Sequence, residues 1–349
     1  MKTEVETLLL PSNQESIQLA SELLHEGQLV AFPTETVYGL GADATNAEAV
    51  LSIFKAKGRP ADNPLIVHIY DIAQMDRLCA VPDEAIPLME AFWPGPLTML
   101  FNKYPLIPDE VTAGLSTVAV RMPSHPVAAA LLRACGLPVA APSANSSGKP
   151  SPTLASHVME DMRGKIPLIL DGGPCEVGVE STVLDLCHGT PTILRPGGIT
   201  REMLESVLHA PVALAGSILR PLKADEKALS PGMRYKHYAP KATVTLVEGT
   251  DEKVISRLRS LWKQETSSGK KACVLCFSEH MELLQDCSPH DIGSRDRMED
   301  IAHRLFQTLR QLDEEGMESV FSEVVPPEGI GLAVMNRLGR AAAFRTIKV

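Results

Sequence analysis

The 349 residues carry 33 basic and 43 acidic side chains, a formal net charge of -10, with 44% hydrophobic content. That length and apolar content favour two domains over one, and the acidic balance argues against bulk, sequence-independent nucleic-acid binding. No run approaches the ~18 apolar residues of a membrane span, the N-terminus lacks a secretory pattern, and an odd seven cysteines among apolar neighbours suit a reducing cytoplasm better than a disulfide framework.

In chain order, a first helix is predicted after Ser12. Ser12 and Glu15 have capping-box spacing, and Ile17, Ala20, Leu23 and Leu24 make one apolar face before Gly27. Residues 29–32 read as a short buried strand, broken by Pro33-Thr34-Glu35-Thr36, which places two hydroxyls and a carboxylate at its end; Tyr38-Gly39-Leu40-Gly41 then supplies a backbone free to approach a ligand. A second helix is expected from Thr45, with Glu48 three residues on and Val50, Leu51 and Phe54 turned inward. It gives out into Lys55, Lys57 and Arg59, after which residues 63–69 read as a strand carrying His68.

Strands are predicted at 97–101, 117–122, 138–141, 166–170, 181–186 and 192–194, with helices near 71–78, 82–92, 125–135 and 200–208. Residues 218–241 read as a linker, though its Met233 to Tyr238 run, basic and aromatic, suits a lid over an anionic site. From 242 on, strands at 243–247, 272–277 and 319–324 alternate with helices at 251–264, 299–312 and 331–343, the pattern of an open, largely parallel sheet. Cys273 and Cys276 have CxxC spacing but fall inside one strand with no second pair, which argues against a metal.

Three cations at alternate positions repel one another unless an anion neutralises them, so Lys55, Lys57 and Arg59 suit a phosphate chain, the plain alternative being a solvated helix end. Charge placement tips the balance toward a ligand. Residues 1–217 hold 24 acidic and 13 basic side chains, yet six of those 13 (Lys55, Lys57, Arg59, Arg121, Lys149 and Arg195) fall in Gly/Pro/Ser-rich motif segments. Arg121 closes a buried strand and needs a partner, which either a substrate carboxylate or an internal Asp or Glu would supply. His68 reads more readily as a core histidine than as a catalyst, and Arg195 as a turn arginine ahead of Pro196-Gly197-Gly198. The loop 142–152, dense in hydroxyls and amides, suits a nucleotide cradle without being a P-loop.

PTETVYGLG, KAKGRP with NPLIVHI, TVAVRMP, PSANSSGKPSPT, GVESTV, LRPG and SPGMRYKHYAP together resemble the Sua5/YrdC/YwlC family in its long Sua5 form. The resemblance is dense over residues 14–205, strong in the linker and general beyond it. It implies an α/β chain: a YrdC-like catalytic domain at 1–217 built on a twisted, mixed, open sheet, a linker and lid at 218–241, and a smaller Rossmann-like C-terminal domain at 242–349. The activity implied is that of a threonylcarbamoyl-AMP synthase, joining L-threonine, bicarbonate or CO2 and ATP, with Mg2+, into L-threonylcarbamoyladenylate and pyrophosphate for modification of adenosine 37 in tRNAs that read ANN codons. The downstream partner implied is the tRNA threonylcarbamoyl transferase machinery.

The family's KxR and SxN motifs correspond to Lys57-Gly58-Arg59 and Ser143-Ala144-Asn145, with Lys57 and Arg59 as the catalytic pair. The resemblance implies ATP contacts from Arg59, Asn63, Thr117, the Ala141 backbone, Ser143, Asn145, Ser151, Arg195 and, in the linker, Tyr235. It implies threonine contacts from Thr36, His68, Arg121 and Ser181, and assigns no metal ligand among the side chains. The rival reading is a translation-associated RNA-binding module using the same basic surface, against which the acidic total and the absence of RRM- or KH-type signatures count.

Overall fold

A computed structural model describes residues 5–220 and 238–349. These form two compact units, one of residues 5–147 and 151–218, the other of 148–150, 219–220 and 238–349. Among the described residues no helix is long and apolar enough to cross a membrane.

The first unit opens with β1 (Leu8–Pro11), α1 (Gln14–His25), β2 (Val30–Phe32), β3 (Gly39–Asp43), α2 (Ala47–Lys57) and β4 (Ile66–His68). It continues through α3 (Met75–Leu78), β5 (Cys79–Ala80), α4 (Ile86–Phe92), β6 (Leu97–Lys103), α5 (Asp109–Thr112), β7 (Thr117–Arg121), α6 (Pro126–Cys135) and β8 (Val139–Ala140). It closes with α7 (Ala155–Met162), β9 (Leu168–Asp171), β10 (Thr182–Asp185), β11 (Thr192–Arg195), α8 (Arg201–Leu208) and β12 (Ala213–Leu214). The strands lie in the order β1-β9-β2-β3-β8-β4-β7-β6-β10-β11-β12, with β5 beside β6. Pairing is mixed: β4 and β7 are parallel, whereas β8 runs antiparallel to β4 and β6 antiparallel to β7. This is the twisted, mixed α/β sheet expected of the N-terminal half. Helices α1 and α6 close one core over β2 and β9, with Ala20, Leu24, Ala128, Leu131 and Leu132 packed on Val30, Phe32, Leu168 and Leu170.

Several local expectations need correction. The α1 capping box is built by Asn13 and Ser16, not by Ser12 and Glu15. Ser12 is already engaged at the end of β1, where its hydroxyl donates to the Asp171 carbonyl at 2.7 Å. Asn46, not Thr45, caps α2 by accepting from the Glu48 and Ala49 amides. Leu51 is 44% exposed, because the inward face of α2 is set by Ala49, Val50, Ile53, Phe54 and Lys57. Gly39 to Gly41 belong to strand β3 and do not form an open, ligand-facing backbone. A Cβ on Gly41 would meet Phe32 Cε1 and Val139 Cγ1 at 2.8 Å each, so glycine there serves packing.

The second unit contains β13 (Thr243–Glu248), α9 (Asp251–Ser267), β14 (Ala272–Cys276), β15 (Pro289–Asp291), α10 (Met298–Glu314), β16 (Ser319–Glu323), α11 (Gly331–Ala341) and β17 (Thr346–Lys348). Its sheet, in the order β15-β14-β16-β13-β17, is parallel throughout. The layering is Rossmann-like, as expected, but β16 sits between β13 and β14, so the order departs from the 3-2-1 half of a dinucleotide-binding sheet. Val254, Leu258 and Leu261 of α9 cover Val274, Cys276 and Phe321. Cys273 and Cys276 are buried free thiols, each pushed up to about 12 by burial. Asn336, Arg337 and Arg340 of α11 are all buried, and the Arg337 guanidinium lies over the Tyr238 ring at 5.5 Å from its centroid.

Candidate active site

Helix α2 ends on Gly58, whose φ of 63° is left-handed; the Gly58 amide reaches the Lys55 carbonyl and the Arg59 amide that of Phe54. Positions two apart on a helix point about 200° away from each other. The consequence is that the three cations do not form a cluster: Lys55 is exposed, while Lys57 and Arg59 turn into the protein. The Lys57 ammonium donates to the carbonyls of Ser143 and Asn145, the latter at 2.6 Å. Arg59 passes over the Phe54 ring and donates from Nη2 to the Asn63 carbonyl at 3.0 Å. The KxR segment therefore clamps the SxN segment directly. Within that segment, Ser143 Oγ donates to Asn145 Oδ1 at 2.6 Å and Asn145 Nδ2 to the Ser146 carbonyl at 2.8 Å.

A second group forms where β4 and β7 end side by side, His68 in register with Arg121. Arg121 is 3% exposed, and the partner left open by the sequence is Glu35: its Oε1 lies 2.7 Å from Arg121 Nη2, and both side chains are 4% exposed. Arg121 also donates from Nη1 to Thr36 Oγ1 at 2.9 Å and from Nε to the Gly95 carbonyl at 3.2 Å. Thr34 Oγ1 gives its proton to the Val37 carbonyl, so the 2.8 Å Thr36–Thr34 contact must be donated by Thr36. That leaves the Thr36 oxygen free to accept from Arg121.

Burial, and then the Arg121 charge, depress His68 to about 3, so its imidazole is neutral. Its Nδ1 lies 3.2 Å from the Ile66 carbonyl, and its ring stands edge-on to Phe32. Burial alone would raise Glu35, but the Arg121 charge and hydrogen bond outweigh it and hold the carboxyl below its usual range.

The third group sits at the start of β10. Ser181 Oγ lies 2.7 Å from Thr98 Oγ1 and accepts from Arg195 Nη2 at 3.0 Å, while Arg195 Nε donates to the Ser181 carbonyl at 3.0 Å. Arg195 is 7% exposed, so it is no plain turn arginine. Next to Ser181, the buried Glu180 accepts from Ser151 Oγ at 2.5 Å.

Topology orders these groups. His68 and Arg121 lie at the carboxyl ends of β4 and β7, whereas Thr117 opens β7 and Asn63 precedes β4. Because β8 runs antiparallel to β4, Ala141, Ser143 and Asn145 emerge toward the amino end of β4, where the Ala141 amide donates to the Ile66 carbonyl at 2.9 Å. Strand β7, five residues long, separates the two ends by about 13–17 Å. Tyr235, and the Met233–His237 part of the expected lid, lie outside the described residues. Among the described residues no group of three or more His, Cys, Asp or Glu is arranged to hold a metal ion. Sequence reasoning placed a carboxylate at the end of β2 without giving it a role, and it missed Thr98 and Glu180. The signal for Glu35 was charge balance, since an arginine buried in a sheet requires a counter-charge.

Buried arginines set among hydroxyls at the ends of a mixed α/β sheet, with a buried lysine tying down the loop beside them, define an α/β domain with an arginine-lined polar site. Residues 22–197 match the family model described as "Telomere recombination", that of the Sua5, YciO and YrdC proteins, and residues 199–343 match the model of the threonylcarbamoyl-AMP synthase C-terminal domain. The chain is 47% identical over 344 residues to a threonylcarbamoyl-AMP synthase of Bacillus subtilis, covering 97% of this chain and 96% of the relative. It is 46% identical over 334 residues to the Pyrococcus abyssi enzyme of that name, covering 95% and 96%. The crystal structure of P. abyssi Sua5 complexed with L-threonine superposes with a TM-score of 0.91 at 45% identity, covering 99% of each chain. This chain belongs to the threonylcarbamoyl-AMP synthase family, in its long Sua5 form.

Proposed function

We propose that the protein condenses L-threonine, CO2 or bicarbonate, and ATP into L-threonylcarbamoyladenylate and pyrophosphate, a nucleotidyl transfer. The observation that supports this most directly is the Thr36–Arg121 pair with neutral His68 in register beside it, with the Ser181–Arg195 pair across strand β6 in the same sheet. Arg121 takes the amino acid's carboxylate, and Thr36, His68 and Ser181 supply short polar contacts to its remaining groups. Arg59, Asn63, Thr117, the Ala141 backbone, Ser143, Asn145, Ser151 and Arg195 hold ATP, with Tyr235 contributing from the linker.

The threonine amine, deprotonated to its neutral base, adds to CO2 and releases a second proton as the N-carboxylate forms, both protons leaving to solvent; the N-carboxylate then attacks the α-phosphorus and expels pyrophosphate. One anion then approaches another, so the protein's task is placement and charge neutralisation. Arg59 and Arg195 perform the latter, and Lys57 fixes the loop that carries Ser143 and Asn145. The buried carboxylates Glu35 and Glu180 are engaged by Arg121 and by Ser151, so Mg2+ fits as a companion of the ATP phosphates, where it supplies further neutralisation.

The adenylate would pass to the tRNA threonylcarbamoyl transferase machinery for adenosine 37. Seven cysteines, all free thiols, support a cytoplasmic location. The test is pyrophosphate release from ATP by the purified protein with bicarbonate and Mg2+, comparing L-threonine, L-serine, L-valine and no amino acid. Release that requires threonine and bicarbonate together is expected; no release, with measurable tRNA binding, would favour the RNA-binding reading.

A further inference from the structure

An α-amino acid is a zwitterion whose ammonium and carboxylate sit on one carbon. A site that recognises it as such needs a cation and an anion side by side, shielded from water. Arg121 and Glu35 form such a pair, 2.7 Å apart and 4% exposed. A carboxylate offers about four lone-pair positions, and the contact with Arg121 engages only part of them, so acceptor capacity remains for a further donor. The Glu35 backbone is itself fixed, its carbonyl accepting from the Val177 amide at 2.8 Å.

We propose that Glu35 is the ammonium subsite of the amino-acid pocket, the residue that separates α-amino acids from carboxylates lacking the amine. This rests on the reading that Arg121 takes the threonine carboxylate. In this structure Glu35 neutralises Arg121. When the zwitterion enters, its carboxylate takes over part of the guanidinium and its ammonium takes the lone pairs of Glu35, so the charge of the pocket is balanced before and after binding. A simple carboxylate entering the same place would leave the site with one excess negative charge, and Glu35 repels it.

The experiment is calorimetric binding to the full chain, without ATP, of L-threonine and of (R)-3-hydroxybutanoate, which is threonine without its amine. In Glu35→Gln, isosteric but uncharged, threonine should bind at least tenfold more weakly and 3-hydroxybutanoate at least threefold more tightly, because Arg121 has lost its internal counter-charge. A residue that merely propped up Arg121 would weaken both ligands together, and that outcome overturns the proposal, as does unchanged threonine affinity. If the Gln variant does not fold, Glu35→Asp carries the test: threonine weakened severalfold with 3-hydroxybutanoate unchanged supports the subsite, and parallel loss of both overturns it. Absence of threonine binding to the unaltered protein would overturn the threonine reading itself, and the inference with it; threonine binding that ignores Glu35 removes the inference alone.

Discussion

Lys57 and Asn145, 88 positions apart, are joined by a 2.6 Å hydrogen bond from the ammonium to a main-chain carbonyl, and the same ammonium reaches the Ser143 carbonyl. A buried lysine that donates to two carbonyls fixes a loop more than it attracts a ligand. Lys57→Met keeps the stem and deletes the donors, leaving two carbonyls without this partner, which costs about 1–3 kcal/mol of stability for each that stays unsatisfied. Turnover should fall more steeply, about 100-fold or beyond, because the Ser143–Asn145 loop loses its register. Pyrophosphate release and urea unfolding on the same variant measure the two effects, and full activity would sink the assignment of the motif to the site.

Gly58 is required for its backbone rather than for space. Its φ is 63°, yet an added Cβ would meet nothing within 4 Å. Gly58→Ala should therefore cost only the left-handed penalty, about 1–2 kcal/mol, with a modest rise in the KM for ATP as Arg59 is tilted. A loss of stability much larger than this in urea titrations would mean that hidden crowding, not conformation, selects glycine.

The parts of the fold that were legible are those whose signal is local. The apolar alternation of β7 and the helical face of α1 could be read directly, and in the second unit the alternation of strands with helices announced a parallel sheet. Strand β1 was not legible, because what makes Leu8–Pro11 a strand is pairing with β9, some 160 residues away. The same distance problem hid the partner of Arg121. The motif residues could be listed from the resemblance, but that Lys57 points at carbonyls, that Lys55 points away, and that Glu35 neutralises Arg121 are consequences of packing. Tyr38-Gly39-Leu40-Gly41 misled for a related reason: glycine was read as freedom, whereas at Gly41 it accommodates the Phe32 ring.

That accommodation is itself testable. Gly41→Ala places a methyl 2.8 Å from both Phe32 and Val139, closer than carbon atoms pack. Phe32 is wholly buried, so the strain has to spread into the α1 and α6 core. A destabilisation of about 1–3 kcal/mol is expected, read as a fall in the urea midpoint with an unchanged m-value. Gly39→Ala, whose nearest neighbour would be Ala141 at 3.3 Å, should cost less. If the order of the two is reversed, β3 is selected by something other than this packing.

Acid sensitivity should begin well above the carboxylate range. His68 is held near 3 in the folded protein, by burial first and the Arg121 charge second, against about 6.5 in the unfolded chain. As pH falls below about 6.5 the unfolded state takes up a proton that the folded state refuses, so stability is complete above that value and declines toward about pH 3, by up to about 1.4 kcal/mol per unit. His125, also lowered by burial, acts in the same direction. Glu35, whose folded value is depressed, loses its contribution only below its ordinary range, about 4.3 and under. The window from about 6.5 to 4.5 thus belongs to the histidines. His68→Gln, which cannot titrate, should flatten the dependence of urea stability on pH across that window while lowering stability at pH 8. Parallel curves for the parent and the variant would place the buried, neutral imidazole elsewhere.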